Sequence, residues 1–148
     1  MDSVTIRNIQ GRRESEQLDC LLWEVLWEPL GLPRNVRESF RLHGQSIEIG
    51  AWWESELIGA LVATWTSATT VELRHLAVRT QRQGVGGQLI KHLIATAGCS
   101  EIATCARNTS LPFFTAMGFV PVSDEVLEHP AFSPFGISFR HLRYSCGR

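Results

Sequence analysis

The sequence predicts an α+β fold in one domain over residues 1–148: a mixed, mostly antiparallel sheet of about seven strands with about four helices. Three observations carry this. Runs of period two and runs of helical period follow one another in the order β-α-α-β-β-β-α-β-α-β-β. The connections between them are short and marked by Gly, Pro and Ser. A chain of 148 residues has the size of a single domain with a real hydrophobic core, and no repeat, low-complexity tract or linker divides it.

Taken in order, residues 4–9 set Val4 and Ile6 against Thr5 and Arg7, the pattern of a half-buried strand. From Glu14 the period changes, and Leu18, Leu21, Leu22, Val25 and Leu26 form a helical stripe widened by Trp23 and Trp27. Pro29, Gly31 and Pro33 stop that helix. Residues 35–42, with Val36, Phe40 and alternate arginines, predict a second, shorter helix that ends near Gly44. Two apolar strands, 46–53 and 57–66, meet at a hairpin through Glu54, Ser55 and Glu56. A turn at residues 67–69 then feeds a third antiparallel strand, 71–78.

That strand opens the stretch on which the chain is organised, residues 71–93, VELRHLAVRTQRQGVGGQLIKHL. After the strand comes a polar connection, then Gly84, Gly86 and Gly87, then Leu89, Ile90, Leu93 and Ile94 at helical spacing. A helix that starts on glycines leaves several backbone N–H groups unpaired at the positive end of its dipole. Such a start suits an anion, above all a pyrophosphate that must approach the backbone closely. The alternative is a helix that begins with glycine because it packs tightly against a neighbour. A phosphate loop of the GxxxxGK[ST] kind is excluded, because Gln88 and Leu89 follow Gly87. The dinucleotide fingerprint also fails, since position 89 is Leu and no early βαβ unit precedes it.

Downstream, Gly98 caps this helix and residues 102–106 form a further strand. Ser110 is placed to cap a short helix, with Pro112 in its first turn and Gly118 at its end. A strand at 119–122, a proline-bearing loop at 125–134 and a last strand at 137–145 complete the chain.

Composition removes several function classes. A net charge of −1 offers no basic footprint for nucleic acid, and Lys91 is the only lysine. Cys20, Cys99, Cys105 and Cys146 have no C-x-x-C spacing, so they read as free thiols of a reducing cytoplasm and no metal site is expected. No apolar run approaches the length of a membrane span, and the polar, alternating start is not a targeting segment.

Two motifs in order make the function specific. Leu76-Ala77-Val78, then Gln81-x-x-Gly84-x-Gly86 and Leu89, resembles the acetyl-CoA signature of the GNAT superfamily of N-acyltransferases. Further on, Arg107-Asn108 and Phe113-Phe114-Thr115-Ala116-Met117-Gly118-Phe119 resembles that family's closing helix and its Gly-Phe ending. Together they cover roughly the second half of the chain. Leu30-Gly31-Leu32-Pro33-Arg34 and Gly136-Ile137 resemble a bacterial subgroup of largely unassigned acceptors.

The resemblance implies the GNAT fold, with the fourth and fifth strands splayed at a β-bulge near Ala77 and acetyl-CoA entering the gap. It implies that backbone groups of Leu76, Ala77 and Val78 hold the pantetheine arm. Residues Gln81, Arg82, Gln83, Gly84, Val85, Gly86 and Gly87 would hold the pyrophosphate, Arg82 with a charge-assisted contact. Asn108 and Phe114 complete the cofactor set, although the spacing from Asn108 to the Phe pair is one residue short of the commonest form. The acceptor groove falls on Trp23, Trp27, residues 29–41 and residues 128–136.

For catalysis, Glu72 occupies the fourth-strand position of the catalytic glutamate in the histone-acetylating members of the family. A carboxylate beside an apolar strand junction is raised towards neutrality by desolvation. Its other reading is a strand glutamate paired with Arg74. His75 competes for the role, because an ordinary histidine pKa suits proton transfer at neutral pH; its other reading is a packed strand histidine. Phe114 stands where many members carry a tyrosine that protonates the departing thiolate. The donor is then Cys105, Ser110 or water, or coenzyme A leaves as thiolate. Trp52, Trp53 and Trp65 read as core. The function expected is a cytoplasmic N-acetyltransferase that moves an acetyl group from acetyl-CoA to a primary amine of a small molecule or peptide. Its alternative is a non-catalytic acetyl-CoA-binding or protein-interaction module. The acceptor is not readable, and the residues allow a homodimer without requiring one.

Overall fold

The computed structural model describes residues 3–79 and 84–147. Strand β1 (Val4–Asn8) leads to helix α1 (Gly11–Leu22), which continues through a π-helical turn, Trp23–Trp27, and a 3₁₀ turn, Glu28–Leu30. Strands β2 (Ser46–Trp53), β3 (Glu56–Trp65) and β4 (Thr70–Val78) follow, then helix α2 (Val85–Ala97) and strand β5 (Glu101–Arg107). Helix α3 (Leu111–Ala116), the short β6 (Val120–Pro121) and β7 (Phe139–Ser145) close the chain. The sheet order is β1-β2-β3-β4-β5-β7-β6, antiparallel except where β4 and β5 run parallel. Among the described residues, no helix is long and apolar enough to cross a membrane.

Both faces of the sheet are covered, which explains why β3 is apolar almost throughout rather than alternating. Leu61 and Ala63 face α2, whose Val85, Leu89, Ile90 and Leu93 are buried against Ile49, Leu73 and Ile102. Ala60 and Val62 point the other way, into the cluster that holds Leu18, Leu21 and Leu22 of α1 with Trp52 and Ala77. Each such aliphatic side chain contributes about 1.5–3 kcal/mol on burial. Trp52 is core, as expected, with the Arg7 guanidinium 3.9 Å above its ring.

Four local expectations are corrected. α1 starts at Gly11, ahead of Glu14, because Glu14 caps the turn: its Oε1 accepts the Gln10 N–H at 2.8 Å while Arg7 donates to both carboxylate oxygens. The helix expected at 35–42 is a 3₁₀ turn, Val36–Phe40. There the Ser39 hydroxyl donates to the Val36 carbonyl at 2.7 Å, and Arg37 reaches Asp19 and Glu48 at 3.2 Å each, so local side-chain bonds displace the α-helical ladder. Ser110 precedes α3 without a capping hydrogen bond from its side chain.

The fourth correction bears on the site. The bulge expected near Ala77 lies at Arg74, since Val62 pairs with His75 and Ala63 with Leu73. β4 and β5 do splay. Their ladder runs from Thr70–Glu101 to Leu73–Thr104 and stops, with the Thr104 hydroxyl donating to the Leu73 carbonyl at 3.0 Å. The extra residue at Arg74 bends β4 away at the step where pairing ends.

Candidate functional site

Beyond Leu73 and Thr104, β4 remains paired with β3 as far as Val78, and β5 with β7 as far as Arg107. Each strand therefore has one edge without a strand partner, over 74–78 and 105–107, where alternate N–H and C=O groups face the split. The split opens a cavity of about 330 Å³. Its walls come from both faces of the sheet: Leu76, Ala106, Phe113 and Phe114 on the α2 and α3 side, Trp27, Phe40, Phe132 and Phe139 on the other.

On the first side, Gly84 takes a left-handed φ of 87° just before α2, a conformation that glycine adopts without strain. The first turn of α2 carries Gly86 and Gly87, and Val85 points its side chain into the core, offering only backbone to a ligand. A Cβ on Gly86 would stand 3.2 Å from Phe113 Cζ, and one on Gly87 would stand 3.4 Å from Met117 Sδ. The glycines therefore serve close packing of α2 against α3. Gln81, Arg82 and Gln83 lie outside the described residues. Leu76 lines the cavity, Ala77 is buried in the α1-side core, and Val78 lies on the α2 side.

Asn108 is engaged elsewhere. Its Oδ1 accepts the Ser138 N–H at 3.2 Å and its Nδ2 donates to the Gly136 carbonyl at 3.1 Å. The side chain expected at the pantetheine arm thus ties the end of β5 to the segment leading into β7. Phe114 is buried against Phe113 and Phe119, with ring centres 5.2 and 5.1 Å away, and lines the cavity together with Ser110 and Cys105.

Glu72 sits in the fully paired part of β4, opposite Thr64 and Ala103, and is ion-paired with Arg74. Its carboxylate lies outside the cavity wall, while Arg74 forms part of it. His75 lines the cavity edge-on to Trp27, with ring centres 5.0 Å apart. Desolvation, followed by repulsion from Arg37, Arg74 and Arg107, pushes its pKa down to about 3. The premise that His75 titrates near neutrality therefore fails in the folded chain; a base this weak is a poor acceptor for an ammonium proton. Burial first, and then the charge of Glu72, push the Cys105 thiol above its ordinary value.

Arg74 and Arg107 are charged cavity residues to which sequence reasoning gave no binding role. Arg107 appeared only as part of a motif, and the available signal was its position two after Cys105 on β5, which puts both on the face opposite buried Ala106. Its Nη2 donates to the Leu26 carbonyl in the π turn at 2.8 Å, and its guanidinium lies 5.2 Å from the centre of the Phe132 ring. Among the described residues, no carboxylate is within ion-pairing distance of it. Arg74 donates to Glu72 and to the Phe40 carbonyl, and its Nε is buried without an acceptor among the described residues.

A family model described as "Acetyltransferase (GNAT) domain" matches residues 25–131. No curated protein matches the chain by sequence. Among solved structures, the ribosomal-protein-S18-alanine N-acetyltransferase from Escherichia coli superposes with a TM-score of 0.77 at 14% identity, covering 99% of this chain and 96% of that one. An aminoglycoside 6'-N-acetyltransferase complexed with coenzyme A gives 0.75 at 16% identity, over 97% and 98% of the two chains. A GNAT family acetyltransferase from Elizabethkingia anophelis with acetyl-CoA bound gives 0.68 at 18%, over 96% and 97%. At these identities the likeness is one of fold, and nearly the whole chain takes part in it.

Proposed function

The chain belongs to the GNAT acetyltransferase family, and from that premise we propose that it transfers the acetyl group of acetyl-CoA to the primary amine of a small molecule or peptide. The observation that carries the reading is the split between β4 and β5. It leaves ladder groups unpaired beside a glycine-opened helix start, and its cavity is walled from both faces of the sheet. A thioester with a long polar arm and a pyrophosphate fits that combination: the arm takes the free strand edge at 76–78, and the phosphates take the first amides of α2.

The amine approaches from the face that holds Trp27 and Phe40. Its nitrogen attacks the thioester carbonyl carbon, so that a C–N bond forms and the C–S bond breaks. We assign Glu72, ion-paired behind the cavity wall with the lining Arg74, as the base that takes the amine's proton through water. His75 stays neutral and forms wall. The sulfur leaves as thiolate and takes its proton from solvent: Phe114 has none to give, and Cys105, with its raised pKa, is a weaker acid than a thiol of pKa about 8.5.

Calorimetric titration with acetyl-CoA, together with release of free coenzyme A thiol over a panel of amines, tests the reading. Binding and amine-dependent release are expected. Binding with no release on any amine would leave the non-catalytic acetyl-CoA-binding module, the reading that Phe114 favours, and absence of binding would end both acetyl-CoA readings and leave a protein-interaction module.

A further inference from the structure

The acceptor side of the cavity is built from rings and cations. Trp27, Phe40, Phe132 and Phe139 supply apolar surface, and Phe132 meets Phe40 and Phe139 with ring centres 6.0 and 5.3 Å apart. Into this apolar wall β5 places Arg107, whose charge cannot be removed at any ordinary pH. Burying a guanidinium costs free energy unless an anion or a full set of acceptors compensates it. Among the described residues, Arg107 has one carbonyl, Leu26, and one ring face. The other two cations near it have carboxylate partners within the chain, Arg37 in Asp19 and Glu48 and Arg74 in Glu72.

We infer that the amine acceptor is a small amino carboxylate with an apolar or aromatic body, and that Arg107 binds its carboxylate. The inference rests on the acetyl-transfer reading and deepens it by naming the acceptor's chemistry. A guanidinium is the side chain best matched to a carboxylate, because its parallel N–H donors meet both oxygens. The rings then take the body of the acceptor. Glu128, which lines the same cavity and accepts the Ser133 hydroxyl at 2.6 Å, offsets the charge of the incoming ammonium. Burial lowers the pKa of Arg107, the direction expected of a desolvated cation lacking a carboxylate partner. The same field acts against a polycationic acceptor, since the arginines that repel a proton from His75 repel a second ammonium as well. Arg107 is a specificity residue; bond making and breaking proceed as described above.

The experiment pairs amines that differ only in the carboxylate: phenylalanine, its carboxamide and phenethylamine, with leucine and tryptophan and their decarboxylated amines alongside. Coenzyme A release is measured for the wild-type chain and for Arg107→Gln and Arg107→Lys. In the wild type, the carboxylate-bearing amine should exceed its decarboxylated counterpart in kcat/KM by about 10- to 100-fold, the range for a hydrogen bond to a charged group. Arg107→Gln should erase that preference through KM, and Arg107→Lys should keep part of it. Acetyl-CoA affinity should stay within a few-fold in both. Equal or better use of the decarboxylated amines or of an aminoglycoside by the wild type overturns the inference, whatever the variants do, as does an equal loss on all amines in Arg107→Gln. A calorimetric arm separates this from failure of the acetyl-transfer reading. N-acetylphenylalanine, titrated with coenzyme A present, should bind the wild type and fail to bind Arg107→Gln, while N-acetylphenethylamine should bind both weakly and alike. Arg107-dependent carboxylate binding without turnover sustains the site and removes the activity; turnover without carboxylate preference does the reverse.

Discussion

The two sides of the cavity are built in different ways. The side toward α2 and α3 is lined by Leu76 of β4, Ala106 of β5 and Phe113 and Phe114 of α3, and the glycine-opened start of α2 packs against Phe113 behind that wall. The opposite side is assembled from separate pieces of chain: the π turn at the end of α1, the 3₁₀ turn at Phe40, His75 on β4, Arg107 on β5 and Phe132 from the loop before β7. The first side is apolar and uncharged, with the free strand edge and the glycine helix start beside it; the second joins rings to charges. A ligand common to a family is met by backbone geometry, which depends on few side chains. A ligand particular to one protein is met by side chains from loops, which vary freely.

The sharpest break of this contrast is Gly86→Asp. Its Cβ would press on the Phe113 ring, and its carboxylate would stand at the helix start where phosphate is expected. Measurable acetyl-CoA binding should vanish in calorimetry while thermal unfolding stays cooperative; unchanged affinity in a folded variant would remove the pyrophosphate assignment.

On the other side, Glu72→Gln should lower kcat/KM by about 10²-fold, the lower end of a general base's contribution. Acetyl-CoA affinity should stay within a few-fold. His75→Ala should leave the shape of the pH–rate profile unchanged, because a group with a pKa of about 3 is already neutral across the assay range. If the histidine variant loses activity and the glutamate variant keeps it, the two roles are exchanged.

Burial of His75 also has a stability signature. As pH falls through 6.5 the unfolded chain takes up a proton there, while the folded chain does not until about pH 3, so stability declines across that window. At pH 5 the wild type should have lost about 2 kcal/mol relative to pH 7 that His75→Gln does not lose, at 1.36 kcal/mol per pKa unit. Denaturant unfolding at the two pH values measures it. Glu14, depressed to about 2 by its bond with Arg7, acts in a lower window, its stabilisation being lost only as pH falls from about 4.5 towards 2. Equal acid sensitivity of the wild type and His75→Gln would show that His75 titrates freely in the folded chain.

The smallest effect is expected where the two sides meet. Phe114→Tyr returns a phenol to the cavity wall, yet kcat should change within about threefold, because a thiolate of pKa about 8.5 departs without help. A hundredfold rise in single-turnover rate would show that protonation of the sulfur limits the reaction.

The α+β order, the strand pattern and the glycine-opened helix were legible in the sequence, because periodicity and glycine chemistry act over a few neighbouring residues. The split between the fourth and fifth strands came from the family resemblance alone. That resemblance put the bulge near Ala77 rather than at Arg74, because a bulge is a mismatch between two strands and has no mark on either one alone. The short stretch around Phe40 reads as a helix, since its spacing cannot register that Arg37 is drawn to Asp19 and Glu48. Only the tertiary structure gave Asn108 to the Ser138 segment and buried His75 among three arginines. It also brought Arg107 to the Leu26 carbonyl, 81 positions away along the chain. A pKa and an unpaired charge are properties of surroundings, and in this protein those surroundings are collected from the whole length of the chain.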